Sequence, residues 1–371
     1  MHQEIIIKEV NSTKELNIFI RFAMKLYAQN AHFVPPILSD EKAFWNPEKN
    51  PSLKNAHYRL AIAYKNNKAV GRIAVLIRTE TPEEARFGWF DTIEDEAVAK
   101  ALLDFAKNFA QKKGAKSIEG PLGFSNLDQA GMLTFGFQEK ATPIGLYNAP
   151  YYEKMVLANG FHQEKEWVEY ALDVPESLSP KVEKFNRLIQ EKYKLKPIEF
   201  KNQKELQKYV PAMFQLLEDT YRSLATFTPL TQAQKDFYIQ KYGKLLNPKY
   251  LTCIADENNE LIAFAVTMPA YGEALQKANG KLFPFGWWHL LQATRKNDTA
   301  NFYLIGIHPD YQRRGVTSII FYEMFEKYKK MGIQHIETNP ELADNKSIQA
   351  LWQDYQPRLH KRRKTFKAIL S

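Results

Sequence analysis

The stretch that most constrains this chain is residues 301–332, NFYLIGIHPDYQRRGVTSIIFYEMFEKYKKMG. Its apolar run from Phe302 to Ile307 predicts a strand ended by Pro309. A helix follows from about Val316 to Lys330, with a wide apolar face of Ile319, Ile320, Phe321, Met324 and Phe325. The joint between them reads Gln312, Arg313, Arg314, Gly315, Val316, Thr317. A helix N-terminus is already partly positive, so each arginine there costs roughly 0.3–1 kcal/mol unless an anion sits opposite. Gly315 lets the backbone approach such an anion, and successive amides pointing one way form a phosphate cradle. Arg-Arg-Gly alone reads as a solvated turn. The strand, the proline and the helix around it shift the reading to an anion site.

At 371 residues the chain exceeds what one core usually serves, so two domains are expected. Hydrophobic residues at 44% and charged residues at 25% are ordinary for a folded soluble protein, and a net charge of +9 suits an anionic ligand or, equally, a weak affinity for nucleic acid or membrane. The single cysteine, Cys253, excludes a disulfide within the chain and points to the cytoplasm. No run approaches the ~20 apolar residues of a membrane span, and Met1 to Glu4 lacks a basic-then-apolar leader. His57, His162 and His335 show no metal spacing, so no metal site is expected.

The order of elements runs twice through the chain: strand, helix, helix, hairpin, strand, helix, strand, helix, strand. Residues 1–174 carry the first run, 175–195 a linker with a short helix, and 196–371 the second. Asn66-Asn67 and Asn258-Asn259 mark the two hairpin turns. Residues 94–113 read as a long helix closed by Gly114, residues 345–355 as a helix, and residues 358–370 as a strand. The basic cluster Lys361 to Lys364 reads as a solvated strand edge, a weak footprint for nucleic acid.

Strand, turn and helix together resemble motif A of the GNAT superfamily of acetyl-CoA-dependent N-acyltransferases. Ile307, Pro309, Tyr311, Gln312 and Gly315 match its pattern, and Thr317 departs from the small residue at the last position. The doubled order resembles tandem GNAT architectures. It also resembles an uncharacterised bacterial group sharing Val70-Gly-Arg-Ile73, Gly120-Pro-Leu122 and Tyr147-Asn148 followed by Pro150-Tyr-Tyr152. The resemblance implies an α/β (α+β) fold of two tandem GNAT-like domains, each a mixed, mostly antiparallel sheet flanked by helices. It also implies an acetyl-CoA or other acyl-CoA co-substrate and a small-molecule or peptide amine acceptor.

On that resemblance Ile305 and Ile307 contact the pantetheine arm. The backbone of Gln312, Arg313, Arg314, Gly315, Val316 and Thr317 takes the pyrophosphate, and Asn345 joins the cofactor-binding set. A GNAT tyrosine often stands seven residues after such an asparagine. Here that position is Trp352, whose indole is no acid near neutral pH. Tyr355 and Glu337 are the remaining catalytic candidates. Acyl transfer by direct attack on the thioester is the expected function. A non-catalytic CoA- or partner-binding protein and an aminoacyl- or peptidyl-type transferase are the alternatives.

The corresponding joint of the first half carries Asp91, Glu94, Asp95 and Glu96 and no glycine, so that copy is expected to be degenerate. Its loop from Gly120 to Asp128 offers Ser125, Asn126 and Asp128 on the substrate side, or simply routes the chain. Residues 271–299 are an aromatic-rich insertion. They read as a lid between the halves, a pocket lining, or a membrane-interface segment with Lys281 and Arg295 near headgroups.

Overall fold

The hairpin turns close on left-handed asparagines, Asn66 and Asn67 in the first half and Asn259 in the second, a conformation asparagine tolerates better than most residues. They belong to a computed structural model describing residues 4–125, 127–178, 180–222, 229–243 and 246–370. The first half contains β1 (Ile5–Glu9), α1 (Thr13–Leu26), α2 (Leu38–Phe44), β2 (Ala56–Lys65), β3 (Lys68–Arg78), β4 (Glu84–Thr92) and α3 (Glu96–Lys112). It continues through β5 (Ser117–Gly120), β6 (Met132–Phe135), α4 (Tyr152–Ala158) and β7 (His162–Asp173). Ser12 starts α1 by accepting from the Glu15 amide, while Glu15 reaches back to Asn11. After α5 (Pro180–Tyr193) come β8 (Lys196–Pro197), α6 (Gln203–Tyr221), α7 (Gln232–Tyr242), β9 (Leu251–Ala255), β10 (Leu261–Pro269), α8 (Gly272–Ala278) and α9 (Gly286–Arg295). The chain ends with β11 (Thr299–Ile307), α10 (Val316–Met331), β12 (His335–Thr338), β13 (Glu341–Leu342), α11 (Lys346–Gln349) and β14 (Arg358–Ile369).

Each half buries both faces of its sheet under helices. In the first, α3 supplies Val98, Leu102, Leu103 and Ala106 to one face, and α1 and α2 supply Phe19, Ile20, Leu38 and Phe44 to the other. In the second, α10 covers one face through Val316, Ile319, Ile320 and Met324, and α6 covers the opposite face through Leu206, Val210, Met213 and Leu217. Apolar side chains at helical spacing are removed from water on both sides of each sheet, so the strands hold nearly unbroken buried runs.

The two sheets are one. Its order is β1-β2-β3-β4-β5-β14-β7-β12-β11-β10-β9-β8, with β6 and β13 attached to the side. β14, the last strand of the second half, lies between β5 and β7 of the first. In turn β7 pairs β12, Ile336 facing Leu172. The halves have therefore exchanged their final strands.

The exchange corrects the reading of Lys361 to Lys364 as a strand edge. β14 is central, Lys361 and Arg363 are each 1% exposed, and Arg363 Nε lies 2.6 Å from Glu169 Oε1. Arg362 and Lys364 pair with Glu166 and Glu153. All three carboxylates come from the first half, so the cations are matched across the exchanged strand. The helix expected over residues 345–355 is also shorter. α11 ends at Gln349, and Trp352 drops into the core edge-on to Phe302 and Phe321.

The insertion crosses back to the first half. Gly280 O accepts from the Leu38 amide, and Gln276 Nε2 donates to the carbonyls of Ala31 and Phe33. Leu275, Tyr271 and Leu290 join the first-half core. The insertion does not line the large cavity described below.

Candidate functional site

The site begins where β11 and β12 part. They pair in parallel from Thr299 with His335 to Phe302 with Thr338, and then β11 runs on to Ile307 with no ladder on that side. Asn339 bridges the mouth of the gap, its amide donating to Phe302 O and its side chain to Tyr303 O. Below the gap, the turn after Pro309 puts Arg313 and Gly315 at φ of 60° and 81°. Glycine suits the second position, where a Cβ would also press Phe185 at 3.0 Å. Among the described residues, the amides of Arg313, Gly315, Val316 and Thr317 donate to no protein acceptor, and the first turn of α10 carries no acid.

Gap and turn open into a cavity of about 1220 Å3 between the halves. Ile305, Ile307, Gln312, Arg313, Gly315, Val316, Thr317 and Asn345 all line it. Gln312 also donates to Ile307 O, and Asn345 caps α11 by accepting from the Ile348 amide. Arg314 does not line the cavity. Its guanidinium lies over the rings of Tyr193 and Tyr311, at 5.5 and 5.6 Å.

On the first-half side Ser125 reaches the cavity, its hydroxyl 2.8 Å from that of Tyr238 on α7. Asp128 lies behind it, accepting from the amides of Phe124 and Ser125 and from Tyr238. It locks the loop to the second half and does not face the cavity. Asn126 lies outside the described residues.

The two catalytic candidates stand elsewhere. Glu337 and Tyr355 line a separate cavity of about 550 Å3 that shares no residue with the large one. Glu337 accepts from Asn301, and Tyr355 packs on Phe321 and Phe325.

The cavity wall contains two groups that the sequence did not reveal. Glu341, on β13, is held by Trp352 Nε1 at 2.8 Å. Burial pushes its carboxyl up to about 7, against the opposing pull of hydrogen bonds from Trp352 and Thr338. Its Oε2 is buried without a partner. Tyr221, at the end of α6, lies half-buried beside the ladder-free end of β11, where the Ile305 backbone hydrogen-bonds its hydroxyl and the neighbouring Thr220 bonds the amide and carbonyl of Ile307. Burial raises it to about 12. The signal for Glu341 was indirect, since the tryptophan in place of the usual tyrosine is the residue that holds it. Tyr221 is remote in sequence from motif A and left no such trace.

The equivalent gap in the first half is filled. β4 and β5 pair only from Glu84 with Ser117 to Arg86 with Glu119. Beyond that, Tyr152 accepts from the Thr92 amide and donates to its carbonyl, and Tyr151 donates to the same carbonyl. A Cβ on Gly88 would come within 2.7 Å of Leu122 O, so strand and loop are in contact. At the joint, Asp95 accepts from the amides of Ala97 and Val98, while Asp91 is bound in a buried pair with Arg72.

No group of His, Cys, Asp and Glu side chains suited to a metal ion occurs among the described residues, and no helix there is long and apolar enough to cross a membrane. Residues 210–355 match the acetyltransferase (GNAT) family. The chain is similar to Protein YghO of Escherichia coli, 25% identical over 314 residues, covering 82% of this chain and 79% of that protein. It is also similar to the bacterial ceramide synthase of Caulobacter vibrioides, 24% identical over 318 residues, covering 82% and 80%. Among solved structures, a tandem GNAT protein from the clavulanic acid biosynthesis pathway superposes at a TM-score of 0.59 over 99% of both chains, with 13% identity. A GCN5-related N-acetyltransferase from Sphaerobacter thermophilus superposes at 0.54 over 99% of this chain and 96% of that one, with 8% identity. With two parting strand pairs, one above a glycine-linked helix and its counterpart above an acid-capped one, the chain has the tandem GNAT fold, and residues 210–355 of its second half match the acetyltransferase (GNAT) family.

Proposed function

We propose that the protein transfers an acyl group from an acyl-CoA, acetyl-CoA being the simplest, to the amine of a long-chain acceptor. One observation carries this reading: the cavity beside the ladder-free end of β11 joins the free amides of Arg313, Gly315, Val316 and Thr317 to a buried carboxylate of near-neutral pKa. The amides take the pyrophosphate, and Arg313 supplies charge beside it. The pantetheine arm lies along residues 303–307, beside the Thr220 and Tyr221 side chains that bond the backbone of Ile307 and Ile305.

Glu341 is the general base. A carboxyl near 7 is ionised often enough at neutral pH to take a proton from an ammonium and basic enough to hold it. The freed nitrogen attacks the thioester carbon, the C–S bond breaks with its electron pair leaving on sulfur, and the second proton lost by nitrogen passes to that thiolate. Tyr221 stays protonated at this pH and offers its hydrogen bond to the departing sulfur. Coenzyme A is a good leaving group, with a thiol pKa of about 8.5 if it resembles cysteine, so a weak donor suffices.

The acceptor class rests on size and lining. A cavity of about 1220 Å3 with Leu122, Phe124, Trp167, Leu304, Ile348 and Leu351 in its wall exceeds what a small amine needs. The Caulobacter relative is named a ceramide synthase, and a ceramide is the amide of a fatty acid with a long-chain amino alcohol. Thiol release measured with acetyl- and palmitoyl-CoA against short amines, amino acids and sphinganine tests the proposal. Turnover is expected to be fastest with the long-chain amine and absent in Gly315→Asp. CoA binding without turnover for any pair would favour a non-catalytic binding protein.

A further inference from the structure

Five of the eleven exposed large apolar side chains among the described residues fall between positions 283 and 291: Phe283, Phe285, Trp287, Trp288 and Leu291. Phe283 is 81% and Phe285 71% exposed, on the turn entering α9. On α9 itself Trp287, Leu291 and Arg295 recur at intervals of four, so one face presents aromatic, aliphatic and cation in turn. The flank beside it is anchored, with Leu290 packed on the first-half core and Thr294 bonded to Tyr271. The apolar face is thus held outward by a fixed support.

We propose that this face docks the protein on an anionic lipid bilayer. Tryptophan and phenylalanine are favoured at the boundary between headgroups and acyl chains, where a flat ring gains apolar contact without crossing the membrane. The indole N–H of Trp287 already donates to Pro284 O, so sinking that ring leaves no donor unpaired. Between Tyr271 and Thr299 the cations Lys277, Lys281, Arg295 and Lys296 outnumber the carboxylates Glu273 and Asp298, and Glu273 is paired with Lys140. Cations flanking a projecting apolar ridge complement a negative surface. They also oppose a second copy of the chain, because a two-fold contact through this face would set like charges against each other. The inference does not depend on acyl transfer, although a bilayer is where a long-chain amine would be found.

The test is sedimentation of the full chain with phosphatidylcholine vesicles containing or lacking phosphatidylglycerol. The protein is expected to sediment with the anionic vesicles and, at higher salt, partly to release. Phe283→Ser/Phe285→Ser/Trp288→Ser should bind about tenfold more weakly, and Lys281→Glu/Arg295→Glu/Lys296→Glu should lose the preference for anionic lipid. Quenching of wild-type tryptophan fluorescence by brominated lipid supplies a readout that needs no mutation. Absence of sedimentation and quenching would overturn the proposal, as would wild-type binding by the folded aromatic variant. A dimer in solution that this variant splits would assign the face to a second copy instead.

Discussion

The two halves build the same strand-to-helix joint and finish it differently. In each, a parallel pair of strands separates after a few residues and leaves backbone groups facing a gap. In the first half Tyr151 and Tyr152 bond to Thr92 across that gap, Asp95 caps the following helix, and Arg72 with Asp91 fixes the wall. In the second half β11 runs on without a strand partner, Thr220 bonding the amide and carbonyl of Ile307, but the joint is glycine and no acid enters the first turn of α10. A buried gap must be satisfied by side chains or by a ligand. One copy closes its helix N-terminus with its own acid; the other leaves the amides of Arg313, Gly315, Val316 and Thr317 without an acceptor among the described residues.

The difference can be attacked from either side. The largest effect is expected at Glu341. Glu341→Gln keeps an acceptor for Trp352 and should lower kcat by roughly 10²–10⁴-fold. In the wild type, activity should rise with pH through about 7, because the carboxyl must be ionised to act, and the variant should lose that limb. Stability separates this role from a packing role. A carboxyl raised from 4.5 to about 7 contributes stability at low pH that is lost as pH rises through that window. Glu341→Gln should therefore remain folded and be no less stable than the wild type above pH 7, by thermal melts.

Next in size is Asp91→Ala. It leaves Arg72, 4% exposed, without its carboxylate and should cost about 3–5 kcal/mol in chemical denaturation. CoA affinity at temperatures where the variant is folded should be unchanged, because the pair serves the filled gap. The smallest effect belongs to Trp352→Phe. Removing the donor that lowers the Glu341 pKa should move the rising limb of the pH profile upward by a fraction of a unit to about one unit. A downward shift would contradict the assigned hydrogen bond.

The strand, turn and helix of residues 301–332 were legible because their information is local: period, proline and glycine act within a few residues. The doubled element order was legible for the same reason. The exchange of β7 and β14 was not, since a strand's own alternation does not say which strand it pairs with, and their partners lie in the other half. That is why Lys361 to Lys364 read as an edge: Glu153, Glu166 and Glu169, which pair with it, are about two hundred positions away. The aromatic insertion left three readings open, and only its attachment to α2 and the first-half core shows which face remains in solvent. Glu337 and Tyr355 were drawn from the strand and helix next to the motif. The large cavity turns instead to Glu341 and Tyr221, brought together by the parting of β11 from β12.

Calorimetric titration of the full chain with CoA tests the contrast between the halves most directly. One site per chain is expected, lost in Gly315→Asp, where a carboxylate enters the phosphate cradle, and kept in Asp91→Ala, which touches only the filled half. Two sites per chain, or undiminished binding in folded Gly315→Asp, would contradict the assignment of the open joint as the place where the cofactor is held.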